Sequence, residues 1–234
     1  MKYLTQKALV LALAAGTAQV SVGAESITEM FKESTAMGNF RLRYEQVDTA
    51  DTADLVTLRS RFGFTTGTYN GFSILAEAED VRDVLGVDDA PAALDYEPEV
   101  TEIDQAFIQY KTEDVTAKLG RQVITLDNHR YVGHVGWRQD RQTFDAARVM
   151  FAPVEGLNVD LSYLFQRNRI FGEALDAKSS DFLINASYTT PIGKLVGYGY
   201  LLDDEARDEQ SDTYGLRLAG SKGCLLYTSD AADD

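Results

Sequence analysis

Ten stretches of this chain, at 40–46, 56–65, 72–79, 103–111, 115–124, 143–151, 157–166, 181–189, 195–202 and 213–219, are long enough to cross a bilayer as extended strands. After the first 24 residues nothing is apolar for long enough to cross as a helix. Most of the ten alternate apolar with polar residues at a period of two. Phe40, Leu42 and Tyr44 share one face of their strand, and Arg41, Arg43 and Glu45 share the other. Leu58, Ser60, Phe62 and Phe64 alternate in the same way with Thr57, Arg59, Arg61 and Gly63. Leu157 to Phe165, Phe182 to Tyr188, and Val196, Tyr198 and Tyr200 repeat the rhythm, and each set is expected on the apolar face.

A soluble sandwich also alternates, so connection lengths decide between the two. Residues 66–71, 112–114, 152–156 and 190–194 are tight and carry turn formers. The intervening connections, 47–55, 80–102, 125–142, 167–180 and 203–212, are longer and mostly acidic. Strict alternation of short and long is the wiring of an outer-membrane barrel, with short periplasmic turns and long external loops. The expected fold is all-β, a transmembrane antiparallel β-barrel with its N-terminus in the periplasm.

Residues 1–24 read as a signal peptide: Lys2 and Lys7 flank a short apolar core, and Val22-Gly23-Ala24 supplies small residues before Glu25. The barrel is expected over 25–220 and the locale is the bacterial outer membrane, with lipid and lipopolysaccharide as surroundings and the barrel-assembly machinery as the partner for insertion. With 37 acidic against 22 basic residues, the chain carries a net charge of −15, which argues against a nucleic-acid surface. A single cysteine, Cys224, excludes an internal disulfide, and neither a metal nor a cofactor is expected.

The charges fall into two groups. Asp80, Asp83, Asp88, Asp89, Asp95, Glu97, Glu99 and Glu102 are expected in one solvated external loop, and Asp203, Asp204, Glu205, Asp208 and Glu209 in another. Such loops could capture divalent cations beside an anionic leaflet, although no calcium-loop spacing is present. Arg41, Arg43, Arg59, Arg61, Lys118, Arg121, Arg148 and Arg217 lie in or at the ends of strands. A charge facing lipid costs a few kcal/mol, so these are expected to line a lumen, with Glu77 and Glu79 among them. Rings of arginine favour anions in pores. The same residues could instead form structural ion pairs that fill the barrel.

Residues 119–145 form the least periodic run, crowding glycines, one tryptophan, guanidinium groups and amides. A constriction loop with Asp127, Asn128, His129, Tyr131 and Trp137 is expected here, and Arg130, Arg138 and Arg141 are placed to contact an anionic solute. The segments Leu119-Gly120-Arg121-Gln122, Asp127-Asn128-x-Arg130-Tyr131-Val132-Gly133, Val135-Gly136-Trp137-Arg138-Gln139 and Gln142-Thr143-Phe144-Asp145 resemble the alginate-export family of outer-membrane porins. Phe40-Arg41-Leu42-Arg43-Tyr44-Glu45 and Tyr214-Gly215-Leu216-Arg217 are similar to it too. The resemblance spans about 40–220 and implies a channel for anionic sugar polymers or small anionic solutes. It also implies longer relatives, so the chain is expected to be the N-terminal part of a wider barrel. Residues 221–234, which look like translated adaptor sequence, are expected to be a non-native tail in which Cys224 has no function.

An enzyme is not expected, and no residue is assigned a catalytic role. A barrel hydrolase would need His129 or His134 beside a nucleophile, and their spacing is not that of a zinc-protease helix. A structural barrel closed by ion pairs is the other alternative.

Overall fold

The computed structural model describes residues 7–15, 23–48, 52–84, 97–204, 209–222 and 225–233. Asp88, Asp89, Asp95, Glu205, Asp208 and Cys224 lie outside the described residues. Among the described residues no helix is long and apolar enough to cross a membrane. The chain is all-β and antiparallel.

Among the described residues twelve strands form one sheet in which each pairs with its neighbours in sequence. They are β1 (Lys7–Ala15), β2 (Thr35–Asp48), β3 (Thr52–Thr65), β4 (Phe72–Asp83), β5 (Val100–Lys111), β6 (Val115–Gln122), β7 (Thr143–Val154), β8 (Leu157–Asn168), β9 (Ala177–Thr190), β10 (Gly193–Asp204), β11 (Glu209–Lys222) and β12 (Leu225–Asp233). Nine of the ten expected segments lie wholly within a strand from β2 to β11; the segment at 115–124 overruns β6 by two residues. Most strands run to 12 or 14 residues, beyond the roughly 9–11 a tilted transmembrane strand needs. The reason is that ladder bonding continues after the apolar pattern stops.

Two further strands flank this set. Residues 7–15, which hold Lys7 and the apolar core expected for a leader, extend along β2 with Ala15 opposite Gly38 and Lys7 opposite Gln46. Residues 225–233, in the expected tail, pair with β11. Any extended segment can satisfy the free backbone groups of a sheet edge, which is the physical reason both adopt strand geometry.

Turn chemistry sets the tight connections. Asn70 (φ 48°) and Gly71 (φ 85°) are both left-handed, and Tyr69 and Phe72 exchange backbone bonds of 2.9 and 2.8 Å. This is the two-residue hairpin that Asn-Gly favours. At Gly193 (φ 135°) a Cβ would stand 2.5 Å from the Ala219 carbonyl oxygen, so only glycine fits. A short helix α1 (Ile27–Lys32), capped by Ser26, rests Met30 by the β3–β4 turn, where Gly67 N–H donates to the Met30 carbonyl at 2.9 Å.

The chain divides into two compact units. The first comprises Met1–Ala106, His134–Thr143 and Asn168–Asp176; the second comprises Phe107–Gly133, Phe144–Arg167 and Ala177–Asp234. In the first, polarity is inverted relative to a soluble protein: Leu42 is 46 % exposed, while its neighbour Arg43 is 1 % exposed. Phe40 and Phe62 meet edge-on at 5.1 Å on that apolar outer face. Within β5 burial shifts parity, with Glu102 and Asp104 buried, then Phe107, as a bulge would produce.

The second unit keeps outward apolar residues such as Leu119, Tyr163, Phe182 and Leu216, but its buried side holds an apolar cluster beside polar residues such as Gln122, Asp181 and Asn185. Ile124, Leu126, Val132, Phe144, Ala146, Leu164, Leu183, Val196, Tyr198 and Tyr200 form its core. This corrects one expectation. Val196, Tyr198 and Tyr200 are buried, and it is Leu195 that is exposed. Their register opposite Ser187, Asn185 and Leu183 of β9 requires it, because cross-strand partners share a face and those three are buried. The outward face of β10 carries Gly197 and Gly199, and the Tyr214 ring covers Gly199, lying 3.2 Å from where its Cβ would be.

Candidate functional site

The site is built on the buried face of β2, β3, β4 and β5 in the first unit. Period-two alternation brings Arg41 and Arg43 from β2, Arg59 and Arg61 from β3, and Glu77 and Glu79 from β4 to one side, all buried. β5 adds Glu102 and Asp104. Residues 134–143 then return to cover this face. The Gln142 N–H donates to the His134 carbonyl at 2.9 Å, closing the excursion at its base. Val135 sits at φ 49°, a strained value for a β-branched residue.

The covering segment meets the arginines through backbone carbonyls. Arg41 donates to the carbonyls of Gly136 (3.2 Å), Arg138 (3.0 Å) and Trp137 (2.7 Å). Arg43 donates to the same Trp137 carbonyl at 2.7 Å, and its guanidinium carbon lies 5.3 Å from the Trp137 ring centre. Arg61 reaches the Gln139 carbonyl at 3.4 Å. Gln139 is fully buried: its N–H donates to Glu97 at 2.9 Å, and its amide donates to the Thr57 hydroxyl at 2.8 Å and the Arg41 carbonyl at 3.3 Å.

Carboxylates answer most of the guanidinium groups. Arg43 pairs with Glu45 and, at 2.5 Å, with Glu97; Arg138 also lies 3.6 Å from Glu97. Arg61 pairs with Glu79 and lies 3.4 Å from Asp104. Arg141 binds Asp104 through two nitrogens, at 3.0 and 2.5 Å, and Glu77 at 2.8 Å. Arg59 bonds Asn39 and lies 3.9 Å from Glu79. The Nε–H groups of Arg41, Arg43 and Arg59 remain buried without an acceptor.

Two loop carboxyls are perturbed. Burial pushes Glu97 up against the pull of Arg43, the Gln139 N–H and Arg138. Burial first, then the carboxylates of Glu102, Glu79 and Asp104, hold Asp140 up at about 8, against the N–H of Gly172. Glu97 and Glu102 thus depart from the solvated external loop expected for them. Both are buried, because the arginine face supplies the partner that Glu97 needs and because Glu102 falls inside β5.

The other expected site residues belong to the second unit. Asp127 (φ 51°) accepts bonds from Asn185 at 2.7 Å and Tyr200 at 3.2 Å, and Arg217 lies 3.9 Å away. Tyr131 stands 5.8 and 6.0 Å from the rings of Tyr198 and Tyr200. Asn128, His129 and Arg130 are exposed, with the Arg130 guanidinium 5.1 Å from the Tyr131 ring. Arg148 pairs with Asp160 at 2.5 Å, and Lys118 sits 4.5 Å over the Phe107 ring. Arg121 stands apart: it shares its face with the exposed Leu119 and pairs with Asp145 opposite at 2.9 Å, whereas Gln122 and Lys118 take the other face. A cavity of about 290 Å³ is lined by Asp127, Asn158, Asp160, Asn185, Ser187 and Lys194, among others.

Sequence reading missed Gln139, Asp140, Asp104 and Thr57 as members of the cluster. For Thr57 the alternation with Leu58 was the available signal; for the loop residues there was none. Among the described residues no group of three or more His, Cys, Asp or Glu is placed to hold a metal ion.

An antiparallel sheet that buries charged residues and exposes aromatics, as the first unit does, is the pattern of an outer-membrane barrel strand set, and the alginate-export family model matches residues 34–230. The chain belongs to the alginate-export family. No curated protein matches it. This family comprises outer-membrane β-barrel porins that serve in transport, not enzymes. Membership accounts for the exposed Phe40, Leu42 and Phe62, which a soluble protein would bury.

Proposed function

We propose that this member of the family is an outer-membrane channel that passes anionic solutes or an anionic polysaccharide along a lumen lined by arginines. The observation that carries the reading is the buried face of Arg41, Arg43, Arg59 and Arg61, which keeps three Nε–H donors without an acceptor. Guanidinium forks match carboxylate geometry, and unpaired donors in a water-poor site favour an incoming anion. Residues 134–142 narrow the path, while the outer face meets lipid and lipopolysaccharide after delivery by the barrel-assembly machinery. Reconstituted in planar bilayers, the chain should conduct with an anion preference read from the reversal potential. Arg59→Ala, which touches no carbonyl of the covering segment, should lower that preference; an unchanged reversal potential would remove arginine from the selectivity argument.

The second reading is a structural barrel whose lumen is shut by ion pairs. It is favoured by the pairing of Arg43, Arg61 and Arg141 with Glu45, Glu97, Glu79, Asp104 and Glu77. Absence of any conductance at every pH would select it over the channel.

A further inference from the structure

The ion-pair network leaves out Asp140. Asp140 is 1 % exposed, and neither carboxyl oxygen accepts a hydrogen bond of full geometry, the nearby Gly172 N–H included. The groups that act on it are Glu102 and Asp104 of β5, Glu79 of β4 and the N–H of Gly172. The cations of the cluster serve other acids: Arg61 holds Glu79 and Asp104, Arg141 holds Asp104 and Glu77, and Arg43 and Arg138 hold Glu97. An acid so placed is tolerable only while it keeps its proton, since an uncompensated buried charge is costly.

Just before Asp140, the carbonyls of Gly136, Trp137, Arg138 and Gln139 occupy donors of Arg41, Arg43 and Arg61. These are the donors an anionic solute would use, and a neutral carbonyl holds a guanidinium less strongly than a carboxylate does. We propose that residues 134–142 are a latch: docked, the segment occupies the arginine donors and shuts the anion path, and loss of the Asp140 proton releases it. The anion path rests on the channel reading above; the docking device does not.

The sign follows from proton binding. Docked, Asp140 is held at about 8; released into water, it returns toward its ordinary 3.8. The docked state therefore keeps a proton that the released state gives up throughout that window. Docking should weaken by about tenfold per pH unit from about pH 4 to about pH 8 and level off above. Glu97, raised by burial and facing Gln139, Arg43 and Arg138, adds a smaller slope of the same sign. Acid tightens the latch and alkali loosens it.

Trp137, the single tryptophan of the chain, sits in the segment and reports on it directly. The full chain is reconstituted in phosphatidylcholine vesicles, and acrylamide quenching of Trp137 is followed from about pH 5 to about pH 9, with bilayer conductance over the same range. Quenching and conductance should rise together and flatten near the upper end. Asp140→Asn should leave only the smaller Glu97 slope and keep the segment docked into the alkaline range. Glu102→Gln, which removes a neighbouring carboxylate and leaves Asp140 in place, should bring the plateau to lower pH. A Trp137 signal that ignores pH, or that responds as steeply in Asp140→Asn, overturns the latch. A Trp137 signal that moves with pH, is flattened in Asp140→Asn and comes from a bilayer that never conducts supports the docking device and sinks the channel reading instead.

Discussion

In the first unit the buried sheet face carries Arg41, Arg43, Arg59 and Arg61 and is covered by backbone carbonyls of residues 136–139. In the second unit the buried face carries Phe144, Leu164, Leu183, Val196 and Tyr200, and it is covered by Ile124, Leu126 and Val132. One connection between β6 and β7 supplies both covers, an apolar half for one unit and a polar half for the other. The difference teaches how reversibly each interior is filled. Apolar burial needs no partner and contributes about 25 cal/mol per Å² whatever the pH. An ionic filling holds only while every charge has its counterpart, so protonation or a competing anion can undo it.

The sharpest break of this comparison is Arg61→Ala. It leaves Glu79 with only the looser contact to Arg59 at 3.9 Å and takes a partner from Asp104, and should cost about 3–5 kcal/mol in urea unfolding of the lipid-reconstituted chain. Adding Glu79→Leu should recover much of that loss, because an apolar replacement removes the orphan charge. In the second unit, Ile124→Ala should cost about 3 kcal/mol through a cavity that no second charge change can repair. A full recovery there on altering a nearby charge would contradict the apolar assignment.

The pH response comes next in size. As Asp140 is neutral when docked, the first unit should lose protection as pH rises toward about 8, while the apolar cluster does not titrate. Amide exchange, corrected for its intrinsic pH dependence, should accelerate at Gln139, whose N–H is bound by Glu97, and not at Leu126, whose N–H is bound by the Val132 carbonyl. Equal acceleration at both would erase the distinction between the units. The smallest effect is expected for Tyr200→Phe, which removes the hydroxyl bonded to Asp127 and Asn185 and should cost about 1 kcal/mol.

Much of the frame was legible from residue order. The alternation in β2, β3, β8 and β9 predicts which side chains are exposed, because a pleated strand turns successive residues to opposite faces. The tight turn at 66–71 was legible for a different local reason, its turn formers, among which Asn70 and Gly71 take left-handed φ. β10 was not: Leu195-Val196-Gly197-Tyr198-Gly199-Tyr200-Leu201 is apolar on one face and empty on the other, and only its register against β9 says which face is buried. The parity of Arg121 was hidden in a strand too short and mixed to show it. Pairing of Glu97 with Arg43, 54 residues apart, had no local signal at all.

The sequence by itself determined the antiparallel strands, through their short connections, and the apolar outer faces with arginines gathered on the other side, through a period of two along the chain. Only the tertiary structure decided that residues 134–142 cap those arginines with carbonyls and that Asp140 is buried among acids. Backbone carbonyls carry no side-chain signature, and a carboxyl acquires a shifted proton affinity only from the neighbours that folding brings to it.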